Sequence, residues 1–440
     1  MPKRSLISLV LVLLFAQANA ESLAIVNVNV VPMTSETVLR GQTVLIEGET
    51  IAAIGDVDAV AVAEGVEVID GTDRYLMPGL FEMHGHVTGT EDAEIERLFN
   101  LFLANGVTSV RGMLGRPAHL TLRADIEAGA VLGPRLITSG PSLNGNSVES
   151  AEAGRRMARE QHEAGYDFLK IHPGLSSDEF NAIADTANEL GIPFAGHVPV
   201  SVGLEGALAK GIATIDHLDG YMAAMLPANV DTSGGYGGFF GVMLADQVID
   251  AKLDDVVAAT VAAGVANVPT ESLFEQLVNA TPAVEYGSQP EMRYMPEGTV
   301  SQWVNAKEQT LSERGFDPAV AARAIDIRRR LISALHEAGG VLLLGSDAPQ
   351  IFNVPGFSLH NELEFMVAAG LTPYEALRTG TVAPAEFLGI DAGSVEVGRI
   401  ADLVLLDDDP LAAIDNSRRV HGVFVRGRWA LAEDLLSAIR

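Results

Sequence analysis

The residues best suited to chemistry are histidines and an aspartate that follow short apolar runs of the chain. His84 and His86 form an H-x-H pair, and residues two apart on a strand point the same way, so both can bind one cation. His197 and His217 each end a later apolar run, and Asp347 follows another. Each residue alone is compatible with an ordinary hydrogen-bonding role at a strand end, but together they favour a metal centre.

Lys170 lies in an apolar run, residues 167–171, where a cationic amine would be costly to bury. Burial lowers the pKa of an amine and favours its neutral form. A neutral amine can react with carbon dioxide to give a carbamate, whose two oxygens can bridge two cations. The alternatives are a lysine that pairs with a carboxylate or one that binds an anionic substrate. Beside the histidines and Asp347, the carbamate is the interpretation we favour.

Three other residues are candidates for substrate contact. His172 lies two residues beyond Lys170, so it points to the same side if the strand continues. Tyr221 lies in a long aromatic and glycine-rich connection, residues 219–250, and His360 follows the last predicted strand. His360 could equally support the ligands or begin a helix. Long connections on an α/β enzyme usually shape a pocket, and we expect this of residues 219–250 and 271–318 rather than surface decoration.

Short apolar runs alternate with helical patterns through the middle of the chain, which predicts an α/β fold with a parallel sheet. Eight such units predict a (β/α)8 TIM-type barrel, whose active sites lie at the carboxyl ends of the strands. The alternative is an open doubly wound sheet, but no glycine-rich phosphate loop follows the first run. The predicted strands are Leu80–His84, Val107–Arg111, Arg135–Ser139, Phe168–Ile171, Pro193–His197, Thr214–His217, Val265–Pro269 and Val341–Gly345.

Both ends of the mature chain are rich in β-forming residues separated by turn signals. We therefore predict a composite β-sandwich module built from residues 21–75 and 391–440. The barrel would occupy residues 76–390 between these two segments.

Residues 1–20 have the pattern of a secretory signal peptide. Lys3 and Arg4 precede an apolar stretch, Leu6–Phe15, and Ala18-Asn19-Ala20 gives a cleavage site. The alternatives are a membrane anchor or a buried helix, but the stretch is short of the roughly 20 residues that a span needs. We expect a periplasmic or secreted protein with no membrane attachment after cleavage.

Composition limits the chemistry and the partners. The 29 Lys and Arg residues against 58 Asp and Glu residues give a net charge of −29, which disfavours nucleic acid and anionic lipid as partners. The chain has no cysteine, so it has no thiolate nucleophile, disulfide or Cys-based zinc site. It also lacks a G-x-S-x-G motif, so nothing in the sequence supports a serine hydrolase.

The residues at the strand ends resemble the amidohydrolase superfamily, and specifically its imidazolonepropionase-like and prolidase-like branch. The resemblance extends to Met77-Pro78-Gly79-Leu80 before the H-x-H pair and to Gly398–Val404, which returns into the terminal module. It implies that His84 and His86 bind a first metal ion. It also implies that His197 and His217 bind a second.

By the same resemblance, a carbamylated Lys170 bridges the two ions, and Asp347 binds the first ion and exchanges protons. The family usually uses zinc, and a ligand set of nitrogen and oxygen is also compatible with manganese, cobalt or iron. The resemblance further implies that the protein can form a homo-oligomer.

The implied reaction is hydrolysis of an amide by a hydroxide that bridges two cations. Candidate substrates are small molecules or dipeptides of the Xaa-Pro type, N-acyl amino acids and cyclic amides. A lactonase, carboxylesterase or phosphotriesterase could use the same centre. A non-catalytic metal-binding protein is the remaining alternative.

Overall fold

The computed structural model describes residues 22–232 and 237–439, which contain fifteen strands and fifteen α-helices. The predicted signal peptide, residues 1–20, lies outside the described residues and stays a prediction. Within the described ranges, no helix is both long enough and apolar enough to cross a membrane.

Seven parallel strands form the centre of the fold in two sheets. One sheet has the order β6-β7-β8 and the other the order β12-β11-β10-β9. These strands match seven of the predicted runs in order and position, and each is followed along the chain by helical segments. The strands are β6 (Leu80–Gly85), β7 (Val107–Gly112), β8 (Arg135–Thr138), β9 (Leu169–Ile171), β10 (Phe194–Gly196), β11 (Thr214–Asp216) and β12 (Ala266–Val268).

Backbone hydrogen bonds connect the two sheets on both sides. The amide of Asp167 donates to the carbonyl of Thr138 at 3.0 Å, which joins the end of β8 to the segment that leads into β9. On the other side, the eighth predicted run lies between β12 and β6: the amide of Leu343 donates to Asn267 at 2.9 Å, and that of Met83 donates to Leu344 at 2.8 Å. The ring of eight units thus confirms the predicted α/β barrel class.

The eighth run differs from the prediction in its local structure. Residues 341–345 form a single bridge, between Leu342 and Asn267, rather than a regular strand. The physical reason is that the amide of Leu344 donates to the carbonyl of Thr379, at the end of a helix, rather than to a neighbouring strand, and that the chain then turns at Asp347, where φ is +62°.

Strands from both chain ends form one eight-stranded sheet with the order β15-β14-β13-β5-β1-β2-β3, and β4 pairs with β1. The two ends join where β5 pairs antiparallel with β13, and side chains from both halves share one core, including Val28, Ile46, Leu403 and Phe424. The strands are β1 (Ser22–Val30), β2 (Leu39–Glu47), β3 (Thr50–Asp56), β4 (Glu67–Asp70), β5 (Tyr75–Pro78), β13 (Leu403–Leu406), β14 (Val420–Val425) and β15 (Arg428–Leu431).

Local sequence signals explain the helices at residues 151–164 and 177–190. The Ser150 hydroxyl accepts a hydrogen bond from the amide of Ala153, and Ser176 and Glu179 form a capping box. Gly165 ends the first helix with φ +86°, a left-handed conformation that glycine adopts without strain.

The remaining helices surround the ring and carry its connections. The α-helices are α1 (Asp92–Ala104), α2 (Pro117–Glu127), α3 (Ala151–Ala164), α4 (Ser177–Leu190), α5 (Gly203–Ala209), α6 (Tyr221–Ala224), α7 (Leu253–Ala263), α8 (Glu271–Val278), α9 (Ala283–Gly287), α10 (Glu297–Ser312), α11 (Pro318–Glu337), α12 (Phe357–Ala368), α13 (Pro373–Thr379), α14 (Val382–Leu388) and α15 (Ala432–Ser437). Short 3₁₀ segments lie at Phe239–Gln247, Asp250–Lys252, Pro290–Tyr294 and Ile414–Arg418.

Gly345 lets the eighth segment approach β6 closely. A Cβ atom at this position would lie 2.6 Å from Cγ1 of Val268 and 2.8 Å from the backbone nitrogen of His84. We expect Gly345→Ala to destabilise the protein by about 1–3 kcal/mol, because the core would be overpacked. Urea unfolding measures this, with Gly298→Ala as the control, since a Cβ at Gly298 meets no atom within 4 Å. Equal stability of the two variants would contradict the close approach.

Candidate metal centre

The ends of the central strands bring the predicted ligands together at one end of the ring. His84 lies in β6 and His86 directly after it, while His197 and His217 follow β10 and β11. Asp347 follows the eighth segment, and its amide donates a hydrogen bond of 2.7 Å to the carbonyl of His84. This backbone hydrogen bond therefore fixes the spacing between His84 and Asp347.

His84, His86 and Asp347 form the tightest cluster of donor atoms. One ligand atom from each lies within 4.8 Å of the others, and Nε2 of His86 is 2.5 Å from Oδ1 of Asp347. Burial alone would raise the pKa of Asp347, but the two imidazoles hold it well below its usual range. Asp347 is therefore a carboxylate at neutral pH, the form that binds a metal ion.

His197 and His217 form a second pair beside this cluster. Their ring centroids are 4.7 Å apart, and the rings of His217 and His84 are 4.6 Å apart. Nδ1 of His197 lies 3.1 Å from Oδ2 of Asp219, and Nδ1 of His217 lies 2.8 Å from Oγ1 of Thr270. Because these contacts use Nδ1, Nε2 is the nitrogen that each ring has for a metal ion.

Lys170 is fully buried below these imidazoles. Its Nζ atom is 3.4 Å from Nε2 of His84 and 3.4 Å from Oδ2 of Asp216. Burial lowers the pKa of this amine, and the nearby carboxylates oppose that effect only in part. The contact with Asp216 corresponds to the alternative in which the lysine pairs with a carboxylate, while the carbamate stays a prediction.

Two buried charged residues around the cluster were not predicted from the sequence. Asp216 lies 2.9 Å from Nδ1 of His84 through one oxygen and 3.2 Å from Nη2 of Arg111 through the other. Arg111 also donates a hydrogen bond of 2.6 Å to the carbonyl of Met83. Both residues are charged groups within apolar strands, the same signal that identified Lys170, and they orient His84.

Glu82 links the first strand to the eighth segment. Its carboxylate accepts hydrogen bonds from the amides of His84 and Ser346, each 2.9 Å long, and from the Ser346 hydroxyl at 2.5 Å. Burial raises the pKa of Glu82 to about 8, against the effect of these donors. The Glu82 side chain therefore holds the segments that carry His84 and Asp347 at a fixed separation.

Three residues at the centre have left-handed backbone conformations, although none is glycine. The φ angles are +65° at His217, +52° at Thr270 and +62° at Asp347. Such conformations cost about 1–3 kcal/mol each and persist where surrounding contacts enforce them. Their concentration at predicted ligands and at the partner of one ligand marks this end of the ring as functional.

A cavity of about 680 Å³ opens above the cluster. His84, His86, His197, His217 and Asp347 line it, so the donor atoms face a space of the size that small-molecule ligands occupy. His172 also lines the cavity, while its contact with substrate stays a prediction, and its Nδ1 lies 2.6 Å from the Ser142 hydroxyl. Both long connections contribute to the wall, through Phe239 and Phe240 in one and Leu273 in the other.

Tyr221 and His360 lie elsewhere, so the expectation that they contact substrate has no geometric support. The Tyr221 hydroxyl is buried and lies 2.9 Å from both the Thr260 hydroxyl and Oδ1 of Asn267. The His360 ring is buried between the Ser417 hydroxyl and the carbonyl of Asn105, at 2.9 and 3.1 Å. Both side chains use their polar atoms within the protein.

The donor set fits a metal centre. Imidazole nitrogens and carboxylate oxygens suit zinc, manganese, cobalt and iron, and the chain has no cysteine to favour a softer metal. Nε2 of His86 and Oδ1 of Asp347 lie so close together that one cation could bind both atoms. His84, His86 and Asp347 could hold one ion, and His197 and His217 a second.

A family model with the description amidohydrolase family matches residues 75–430, which include the ring, every predicted ligand and, of the terminal sheet, β5, β13, β14 and most of β15. The chain belongs to the amidohydrolase family. Among relatives, adenine deaminase 3 of Rhizobium meliloti is 22% identical over 92% of this chain and 57% of its own length. Adenine deaminase of Moorella thermoacetica is 23% identical over 88% and 54%. This amidohydrolase-family chain thus spans about half the length of those relatives.

Solved structures agree with the family in fold. A putative prolidase from Bifidobacterium longum has a TM-score of 0.69 and 22% identity, covering 95% of this chain and 98% of that one. Bottromycin amidohydrolase has a TM-score of 0.69 and 23% identity, covering 95% and 89%. At these identities the likeness shows the amidohydrolase fold, a TIM-type barrel with a β module.

Asp219 offers a test of how the second histidine pair is oriented. Its carboxylate also accepts a hydrogen bond of 3.2 Å from the amide of Val198, so Asp219 fixes both the ring and the backbone of His197. We expect Asp219→Ala to weaken metal affinity about 10–100-fold, the usual effect of losing the partner of a histidine ligand. Titration against a competing chelator measures it, with the exposed Asp246→Ala as control. Unchanged affinity would contradict this role.

Proposed function

We propose that the protein is a binuclear metal-dependent hydrolase that cleaves a carbon–nitrogen bond. The observation that carries the proposal is the convergence of four histidines and an ionised aspartate at the floor of one cavity, with the buried Lys170 directly below them. Family membership supports hydrolysis of a carbon–nitrogen bond, because the matching model is described as an amidohydrolase family and the similar proteins include adenine deaminases and a putative prolidase.

The predicted ligands fall into two sets according to their positions. His84 and His86 would hold one ion, His197 and His217 the other, and Lys170, as a carbamate, would bridge them. Bound divalent cations lower the pKa of water and polarise a carbonyl group. The chain's own residues then bind the substrate, exclude bulk water and move the proton.

Asp347 is the group we assign to proton transfer. Its oxygens lie 2.5 Å from Nε2 of His86, 3.6 Å from Nε2 of His84 and 3.7 Å from Nδ1 of His217, so it faces the space between the two histidine pairs. An ionised carboxylate in that position can accept a proton from water and deliver it to the leaving nitrogen. No serine or cysteine nucleophile is required.

A comparison of bond types tests the proposal. We expect metal-loaded protein to hydrolyse uncharged N-acyl amides with a higher kcat/KM than matched lactones, carboxylic esters or phosphotriesters. Removal of metal by a chelator should abolish turnover, and zinc or manganese should restore it. Protein with a full metal content that cleaves none of the amides would contradict the proposal, while faster hydrolysis of a lactone or phosphotriester would change the bond type.

We also propose that the protein is exported, on the pattern of residues 1–20 alone. Expression of the full chain and of a variant without those residues, followed by cell fractionation, tests this. Equal recovery of both forms in the cytoplasm would contradict export.

A further inference from the structure

The wall of the cavity above the ligands is largely apolar. Leu114, Val198, Val200, Phe239 and Leu273 line it together with Phe240. These side chains come from loops after different strands of the ring and from both long connections. An apolar wall of this extent favours substrates whose own groups are apolar, since their burial removes apolar surface from water.

Phe240 places its ring directly on the metal-binding imidazoles. Its ring is stacked on that of His217 with centroids 4.8 Å apart and an interplanar angle of 11°, and it lies 6.0 Å from the ring of His197. The backbone of Phe240 is left-handed, with φ +49°, a costly conformation for a bulky residue. The surrounding contacts therefore hold Phe240 in a strained conformation that keeps its ring against the predicted metal ligands.

Among the described residues that line the cavity, none is lysine or arginine. The undescribed residues 233–236 have the sequence Ser-Gly-Gly-Tyr, so that part of the connection carries no cation either. Lys170 lies below the floor, fully buried, and Asp219 is the one lining carboxylate besides Asp347 among the described residues. Apart from the divalent cations proposed at the floor, where the scissile group reacts, the wall thus holds neutral and acidic groups and offers no cation to a substrate carboxylate.

The net charge of the whole chain also disfavours anionic substrates. A net charge of −29 repels anions from the surface, and a carboxylate that entered the cavity would lose hydration without gaining an ion pair from the wall. Thr88 offers an uncharged hydrogen-bonding group at the rim, which suits a neutral amide.

We infer that the substrate is a neutral amide that carries apolar groups and has no carboxylate beside the scissile nitrogen. This inference rests on the proposed function and narrows it. It disfavours the dipeptides and N-acyl amino acids that the sequence resemblance suggested, because both carry a carboxylate at that position. Cyclic amides and apolar N-acyl amines remain.

Substrate pairs that differ only in the carboxylate test the inference. N-hexanoylproline and N-hexanoylpyrrolidine form one pair, and leucylproline and leucylpyrrolidide form another. We expect the member of each pair that lacks the carboxylate to have a kcat/KM at least about 100-fold higher, because the wall offers the carboxylate no partner. Equal or faster cleavage of the carboxylates would overturn the inference and leave the proposed function standing. Cleavage of none of the four amides would overturn both.

A new cation at the rim provides a second test. Gln350 is exposed at the mouth of the cavity, so an arginine can replace it without entering the core. We expect Gln350→Arg to raise kcat/KM for N-hexanoylproline about tenfold or more relative to N-hexanoylpyrrolidine, since arginine pairs with carboxylates. Gln350→Met is the matched control for size, and its ratio should stay unchanged. The same ratio in all three proteins would show that a missing cation does not set the preference.

Discussion

Asp347→Asn is expected to keep the fold and the cavity but to lower kcat by about 10²–10⁴-fold, the usual contribution of a general acid–base group. The two side chains have nearly the same shape, but an amide cannot accept the proton that the carboxylate would carry. Steady-state kinetics on an amide that the parent protein cleaves measures the change.

Two controls separate proton transfer from damage to the site. Circular dichroism and urea unfolding show whether the variant folds, and metal analysis shows whether it still binds cations. Asp246→Asn, a change of the same kind at an exposed position, should leave kcat unchanged. A near-normal kcat in Asp347→Asn, or its full recovery on adding metal, would rule out the assigned role.

Lys170→Ala is expected to lower bound metal from about two equivalents to fewer than about one, because it removes the ligand proposed to bridge both ions. Turnover should fall with the metal content. A short carboxylic acid such as acetate or propionate should restore part of both, since its two oxygens can occupy the place of the carbamate. Mass-spectrometric metal analysis with and without the acid measures the effect.

The same variant distinguishes the two interpretations of Lys170. If the residue serves as an unmodified cation that pairs with Asp216, 3.4 Å away, then ethylamine rather than acetate should rescue the variant. Lys307→Met is a matched control, because Lys307 is also fully buried but donates to the carbonyls of Gln276 and Asn279 at 2.5 and 2.9 Å. It should lose stability and keep its metal. Two equivalents still bound to Lys170→Ala would exclude a bridging role.

Strand positions and ligand candidates could be predicted because both depend on local patterns. Apolar runs such as Val107–Arg111 are flanked by turn signals, and polar residues at their ends are visible in the sequence. The ring then brings those ends together by its topology alone. This is why His84 and His217, 133 positions apart in the numbering, could be assigned to one site and are found with rings 4.6 Å apart.

The contacts that orient the ligands depend on tertiary neighbours and could not be predicted. Nothing local indicates that Asp216 faces Arg111 and His84, because these residues lie on different strands. For the same reason, the buried positions of Tyr221 and His360 could not be predicted. Their positions in or after long connections suggested exposure to substrate, but packing of distant segments supplied partners for their polar atoms inside the protein.

The left-handed conformations at His217, Thr270 and Asp347 have a consequence for engineering. Glycine at these positions would relieve backbone strain of about 1–3 kcal/mol each while deleting a ligand or its support. A directed-evolution screen for heat resistance alone would therefore enrich inactive variants here. A selection for heat resistance therefore has to include a selection for turnover, so that the predicted metal ligands are kept.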